Sequence, residues 1–126
     1  MGNKNIMAVE AFIKGLELKS TDMMPLDDHV ILISPLTPDR VIQGKKQMVE
    51  FLNSIFPKFE VVRTTIEKHL TMGDTVCTLW EMTFFPNATL KIFDYLEVKN
   101  EKLTVIRPYF DPRPLLNILE KASGSL

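Results

Sequence analysis

The chain has a single cysteine, Cys77, which excludes an intrachain disulfide and any multi-cysteine metal site and fits a reducing compartment. Histidine is almost as scarce. His29 and His69 have no ligand spacing to each other, and the five glycines form neither a phosphate-cradling loop nor a nucleophile elbow. These absences disfavour the common nucleophilic, nucleotide-dependent and metal-dependent enzymes, and no cofactor is implied. An excess of positive charge is also missing: Lys+Arg 15 against Asp+Glu 16 gives a net charge of -1. With Lys45-Lys46 as its longest basic pair, the chain has no electrostatic footprint for a phosphate backbone, so nucleic acid is not an expected partner. No apolar stretch approaches the ~20 residues that span a bilayer. The opening Met1-Gly2-Asn3-Lys4-Asn5-Ile6 lacks the apolar core of a signal peptide and carries Ile6 where a myristoylation signal has Ser or Thr. A cytoplasmic protein without a membrane partner is expected.

What is present is globular. Hydrophobic residues make up 45% and charged residues 25% of 126 positions, enough for one domain over residues 1–126 that buries roughly two-thirds of its unfolded surface.

Ile6, Val9, Phe12, Ile13 and Leu16 recur at helical spacing and predict a first helix to Leu18, with Asn3 or Asn5 as cap. Thr21-Asp22 and Pro25 predict a short helical turn between Ser20 and Asp28. The run His29-Val30-Ile31-Leu32-Ile33, stopped by Ser34-Pro35, reads as a buried strand, and Thr37 to Gly44 as a polar connection. Met48, Phe51, Leu52, Ile55 and Phe56 define a strongly amphipathic helix from about Lys45 until Pro57 closes it. Beyond Pro57 the period changes: Phe59 to Leu70, Thr75 to Phe85, Leu90 to Val98 and Leu103 to Phe110 are strand-like, joined by connections short enough only for antiparallel hairpins. Asp111-Pro112 opens a last helix carrying Leu115, Leu116 and Leu119, and Ser123-Gly124-Ser125 frays.

Helices followed by a meander give an α+β fold in which a curved, mostly antiparallel sheet wraps a helix. Its strands are apolar on both sides, with Val76, Trp80, Met82 and Phe84 on one parity and Cys77, Leu79 and Phe85 on the other. Helices suffice for one face, so the other, including Phe93, Tyr95, Ile106 and Phe110, is expected to meet a second copy in a homodimer.

One acid interrupts an apolar row. In Leu90 to Val98 the even set is Leu90, Ile92, Leu96 and Val98 with Asp94 among them. A hairpin closing at Asn100-Glu101 with regular pairing sets Asp94 opposite Arg107 and puts Leu103, Val105, Arg107, Tyr109 and Asp111 on the same face. Two readings follow. Asp94 and Arg107 form a structural ion pair, with the Asp94 carboxyl pulled below its reference value; or they make the polar floor of an apolar small-molecule pocket. Asp111 is either the cap of the last helix or an acid of that pocket. Trp80 and Met82 are core and pocket wall, His29 and His69 are surface or rim residues, and Cys77 is a buried small hydrophobe.

The order of elements, and the strings Ile33-Ser34-Pro35 to Gly44-Lys45-Lys46, Met72-Gly73-Asp74-Thr75-Val76 and Leu96-Glu97-Val98 through Tyr109-Phe110-Asp111, resemble the nuclear transport factor 2-like superfamily, nearest its SnoaL-like branch. The resemblance implies a cone-shaped fold, with helices against a curved sheet enclosing a pocket, and commonly a dimer. Ketosteroid isomerases, polyketide cyclases, limonene-type epoxide hydrolases and binding modules share that fold, so chemistry transfers only residue by residue. Asp94 matches the isomerases' oxyanion-hole acid, a worked case of a carboxylic acid kept neutral by an apolar site. Ser34, however, stands where they have an aspartate base, and Lys14 about where they have a tyrosine. Asp111 lies near the acid of SnoaL-type cyclases, while the hydrolases' Arg-x-Asp pair falls at Trp80 and Met82, which can neither polarise an epoxide nor orient water. The expectation is a dimeric domain binding a small apolar molecule with a polar end. If it is catalytic, the chemistry is proton transfer of the isomerase, cyclase or lyase kind, with Asp94 or Asp111 as acid/base and Arg107, Tyr109, Trp80 and Met82 around the substrate. The alternative is a non-catalytic ligand-binding or dimerisation module.

Overall fold

A computed structural model describes residues 2–85 and 88–122. Pro86-Asn87, expected in a hairpin turn, and the tail from Ser123, expected to fray, lie outside the described residues. The helical spacing of the first segment forms α1 (Gly2–Leu18), which buries Ala8, Val9, Phe12 and Ile13. Its expected successor is a single turn of 3-10 helix, Thr21–Met23. The amphipathic segment forms α2 (Lys45–Ile55), burying Met48 and Leu52. Gly44 precedes it at φ 90°, a conformation open to glycine at little cost, and donates its N–H to the Val30 carbonyl at 2.7 Å. Pro57 sits in a 3-10 turn, Phe56–Lys58, that closes the helix. The last helix, α3 (Arg113–Ala122), buries Leu115.

Six strands form one sheet: β1 (Leu26–Leu32), β2 (Ile42–Gln43), β3 (Val62–Met72), β4 (Thr75–Phe84), β5 (Ala88–Lys99) and β6 (Lys102–Tyr109), in the order β2-β1-β6-β5-β4-β3. The expected meander is β3 to β6. β1 starts at Leu26, ahead of the expected His29, and pairs in parallel with β6; β2, inside the expected polar connection, pairs antiparallel with β1. Each helix sends an apolar side chain into one cavity, Phe12 from α1, Met48 from α2 and Leu115 from α3. All three therefore lie on the concave face of the curved sheet, completing an α+β cone.

Two irregularities set which side chains face inward. In β3 the register with β4 shifts between Ile66 and Lys68, leaving Glu67 as the extra residue. In β6 the register with β5 shifts between Glu97 and Val98. The Asn100-Glu101 loop has the positive φ values of a two-residue hairpin turn, 53° and 63°. Lys99 pairs with Lys102 and Val98 with Leu103, as regular pairing requires, but Glu97 pairs with Val105. Thr104 is the bulged residue, and its hydroxyl donates to the Glu97 carbonyl at 3.2 Å. A bulge turns every later side chain to the opposite face.

Candidate active site

Thr104 overturns the expected Asp94–Arg107 pair. Asp94 faces Pro108, and Arg107 faces Tyr95. Arg107 and Tyr109, expected on the pocket row, are exposed on the other side of the sheet, where the guanidinium lies 5.5 Å from the Tyr109 ring centroid. Ile106, expected outside, is buried, and Phe110, also expected outside, lines the cavity.

The cavity measures about 100 Å³ and is walled by apolar side chains from all three helices and the sheet, among them Phe51, Phe56, Phe59, Trp80, Met82 and Ile92. Trp80 and Met82 thus stand where the sequence placed them. Among the described residues Asp94 is the one titratable side chain in the wall, joined by the hydroxyl of Ser34. Ser34 is buried, and its Oγ accepts the Leu36 N–H at 3.1 Å.

Asp94 is 1% exposed. Its Oδ2 accepts a hydrogen bond from Trp80 Nε1 at 3.3 Å, and its Oδ1, also buried, has no protein partner. Burial disfavours the charged form, and the Trp80 N–H only partly offsets this, so the carboxyl is pushed up to about 7. The sequence expectation was a carboxyl held low by an arginine; without the arginine, desolvation decides the direction. The neutral acid is therefore well populated near neutral pH. An indole N–H can only donate, so Oδ2 accepts; a carbonyl-type oxygen accepts more strongly than an acid hydroxyl, which favours the proton of the neutral acid on Oδ1. The free donor is the atom without a protein partner.

Asp111 is placed elsewhere. It is exposed and absent from the cavity wall; its Oδ1 accepts the Arg113 N–H at 3.0 Å, and Oδ2 pairs with the Arg113 guanidinium at 2.7 Å. Arg113 holds its carboxyl down at about 2. The side chain therefore ties down the start of α3, as its Asp-Pro signature suggests.

Sequence reading missed His69. It pairs with Thr78 in the unbroken ladder that runs from the Gly73-Asp74 turn and so faces inward, where Nδ1 lies 2.8 Å from the Thr78 hydroxyl and Nε2 lies 2.9 Å from Glu10 of α1. Thr78 is fully buried and stands directly across from Asp94 in the β4–β5 ladder. The buried hydroxyl beside the acid is thus tied to the surface through an imidazole and a carboxylate. Cys77, expected in the core, is only half-buried and lies on the convex face beside Tyr95. No group of three or more His, Cys, Asp or Glu side chains comes together among the described residues, and no described helix is long and apolar enough to cross a membrane.

A SnoaL-like domain family matches residues 9–106, and the chain belongs to that family. No curated protein matches the sequence. Solved structures share the fold at low identity. TerC, co-crystallised with polyporic acid, is 18% identical with a TM-score of 0.78 over 93% of this chain and 98% of that one. A limonene-epoxide-hydrolase-like enzyme of M. tuberculosis is 20% identical with a TM-score of 0.75 over 98% and 94% of the two chains. A SnoaL-like polyketide cyclase of Jannaschia, so named as putative, is 14% identical with a TM-score of 0.75 over the same shares, 98% and 94%.

Proposed function

We propose that the protein binds a small, mainly apolar molecule in the cavity and that Asp94, as a neutral acid, donates a proton or hydrogen bond from Oδ1 to the oxygen at its polar end. One observation carries the reading: a buried carboxyl in an apolar wall, fixed through Oδ2 by Trp80 and left unpartnered at Oδ1. A donor held in a dry site stabilises negative charge developing on a carbonyl oxygen far better than water does. The class of reaction this suits is proton transfer next to a carbonyl, as in isomerases, cyclases and lyases, with Asp94 donating to the oxygen while a solvent water takes the α-proton. The fold's occurrence in a polyketide cyclase and in a protein crystallised with polyporic acid supports a small-molecule ligand.

A second reading, a non-catalytic binding module, is favoured by the absence from the cavity wall of any titratable group besides Asp94. Deuterium incorporation at the α-carbon of cyclohexanone in D2O separates the two. Catalysis by the neutral acid predicts exchange that is faster than in Asp94→Asn and fades as pH rises through about 7. Equal exchange in both proteins at every pH would leave only the module.

The convex face supports a homodimer. Phe93 and Leu70 are 38% and 48% exposed there, beside half-buried Leu79, Tyr95 and Val105, an apolar patch of the kind that meets another protein. A monomer at micromolar concentration in analytical ultracentrifugation would overturn this.

A further inference from the structure

Beyond Leu32, the last residue of β1 paired with β6, the chain leaves the sheet at Ser34-Pro35 and folds over the end of β6. A second cavity of about 360 Å³ lies between this loop and the last residues of β6. Its wall differs in kind from that of the first. Arg40 and Arg107 line it with Thr37, Asp39 and Tyr109. The ion pairs among the described residues join Lys14 to Glu17, His69 to Glu10 and Arg113 to Asp111, so neither guanidinium has a carboxylate partner. The loop is held in shape by Thr37 N–H to the Ser34 carbonyl at 3.0 Å and Arg40 N–H to the Thr37 carbonyl at 3.2 Å. In that fixed turn the Thr37 hydroxyl is buried and has no hydrogen-bond partner.

Two unpaired guanidinium groups against one carboxylate leave the cleft net positive, and an unsatisfied buried hydroxyl adds a donor. Planar, multiply donating groups of this kind recognise carboxylate and phosphate oxygens. Ser34 and Pro108 stand in the walls of both cavities, so the apolar cavity and the basic cleft lie next to each other across the end of β6. We propose that the cleft is the anion subsite of a two-part ligand site: Arg40, Arg107 and the Thr37 hydroxyl hold the carboxylate of an amphipathic acid whose apolar body occupies the main cavity. The assignment rests on the reading of that cavity as a small-molecule pocket and narrows its ligand from a neutral molecule to an acid. It also gives the exposed Arg107 and Tyr109 a role that the register denied them beside Asp94. The acid's charge would sit on the far side of Ser34 and Pro108 from Asp94, so the two carboxyls need not share one site.

Binding of 3-phenylpropionate, its neutral amide and inorganic phosphate, followed by NMR at about pH 6 where Asp94 is largely neutral, tests this. The Trp80 indole N–H reports the main cavity and the Arg107 Nε–H the cleft. The acid is expected to move both signals and to bind about tenfold or more tighter than the amide, as charge-assisted bonds to an oxyanion imply. Arg107→Gln and Arg40→Gln should each weaken binding of the acid more than that of the amide and so erode that preference. Equal binding of acid and amide, both moving Trp80, would overturn the anion subsite and leave the pocket intact. Phosphate binding at Arg107 as tightly as the acid, with Trp80 unmoved by the acid, would show a site for free anions and overturn the two-part ligand. Amide and acid both failing to move Trp80 would defeat the subsite and the pocket reading together.

Discussion

The two faces of the β5–β6 hairpin carry opposite charges that never meet. On the concave face Asp94 is buried without a cation, and its carboxyl is pushed up to about 7; on the convex face Arg107 is exposed without a carboxylate. Regular pairing from the Asn100-Glu101 turn would have set them opposite each other. Thr104 keeps them on separate faces. A paired Asp94 would be ionised and spent on structure, whereas the unpaired acid is available as a proton donor. A bulge beside a functional group that re-aims a side chain is a recurring device.

The sharpest way to break the comparison is through the packing that the bulge imposes. Ile106 is inside because Thr104 is extra, and Val105 is on the convex side. Ile106→Ala should therefore cost about 2–5 kcal/mol, as buried large-to-small changes do, and Val105→Ala well under half as much. Urea denaturation of both variants checks this, and regular pairing would reverse the ranking.

A somewhat smaller effect concerns the acid itself. Folded Asp94 keeps its proton up to about 7, against an ordinary value of 3.8 in the unfolded chain. Between those values the folded state binds more protons than the unfolded one, so the stability Asp94 contributes is complete below about pH 4 and lost as pH rises to about 7. The loss is on the order of a few kcal/mol. Glu17, held down at about 2 by Lys14 and Thr64, acts in the opposite direction, losing stability as pH falls below its ordinary range. The joint contribution of these two groups is thus expected to be greatest at about pH 4 to 5. Asp94→Asn should flatten the neutral side of the curve and leave the acid side unchanged.

Most of the architecture is legible from hydrophobic period alone: α1, α2 and the four-strand meander follow from it, and the SnoaL-like resemblance from their order. The side chains of the candidate site were harder, for one physical reason repeated twice. Alternation assigns a face only while the ladder is unbroken, and each outer hairpin of the meander contains one extra residue. Glu67 puts Ile66 and His69 on one face although their positions differ in parity, and Thr104 turns Arg107 away from Asp94. Neither residue is a glycine, so the usual mark of a bulge is missing. The Asn100-Glu101 loop has the two residues that regular pairing needs, but loop length fixes the register only as far as the first bulge. Asp94 itself was legible because β5 pairs with β4 without a break from Thr75 to Phe84. β2 was not, since a two-residue strand has too few positions to show a period.

The smallest expected effect is the one that separates the two registers most cleanly. Were Arg107 the partner of Asp94, Arg107→Leu would strand a buried carboxylate and cost roughly 3 kcal/mol or more. With the guanidinium on the convex face, 5.5 Å from the Tyr109 ring, the same change removes an exposed cation–π contact and no buried partner. Stability should then stay within about 0.5 kcal/mol of the wild type, as for other surface substitutions. The titration of Asp94 should be equally indifferent, because burial rather than any cation sets it. Carbon-detected titration of the Asp94 carboxyl in the wild type and in Arg107→Leu reads this directly: both midpoints should fall near 7. A wild-type midpoint below about 4 that rises in the variant would restore the ion pair and remove the neutral acid from the cavity.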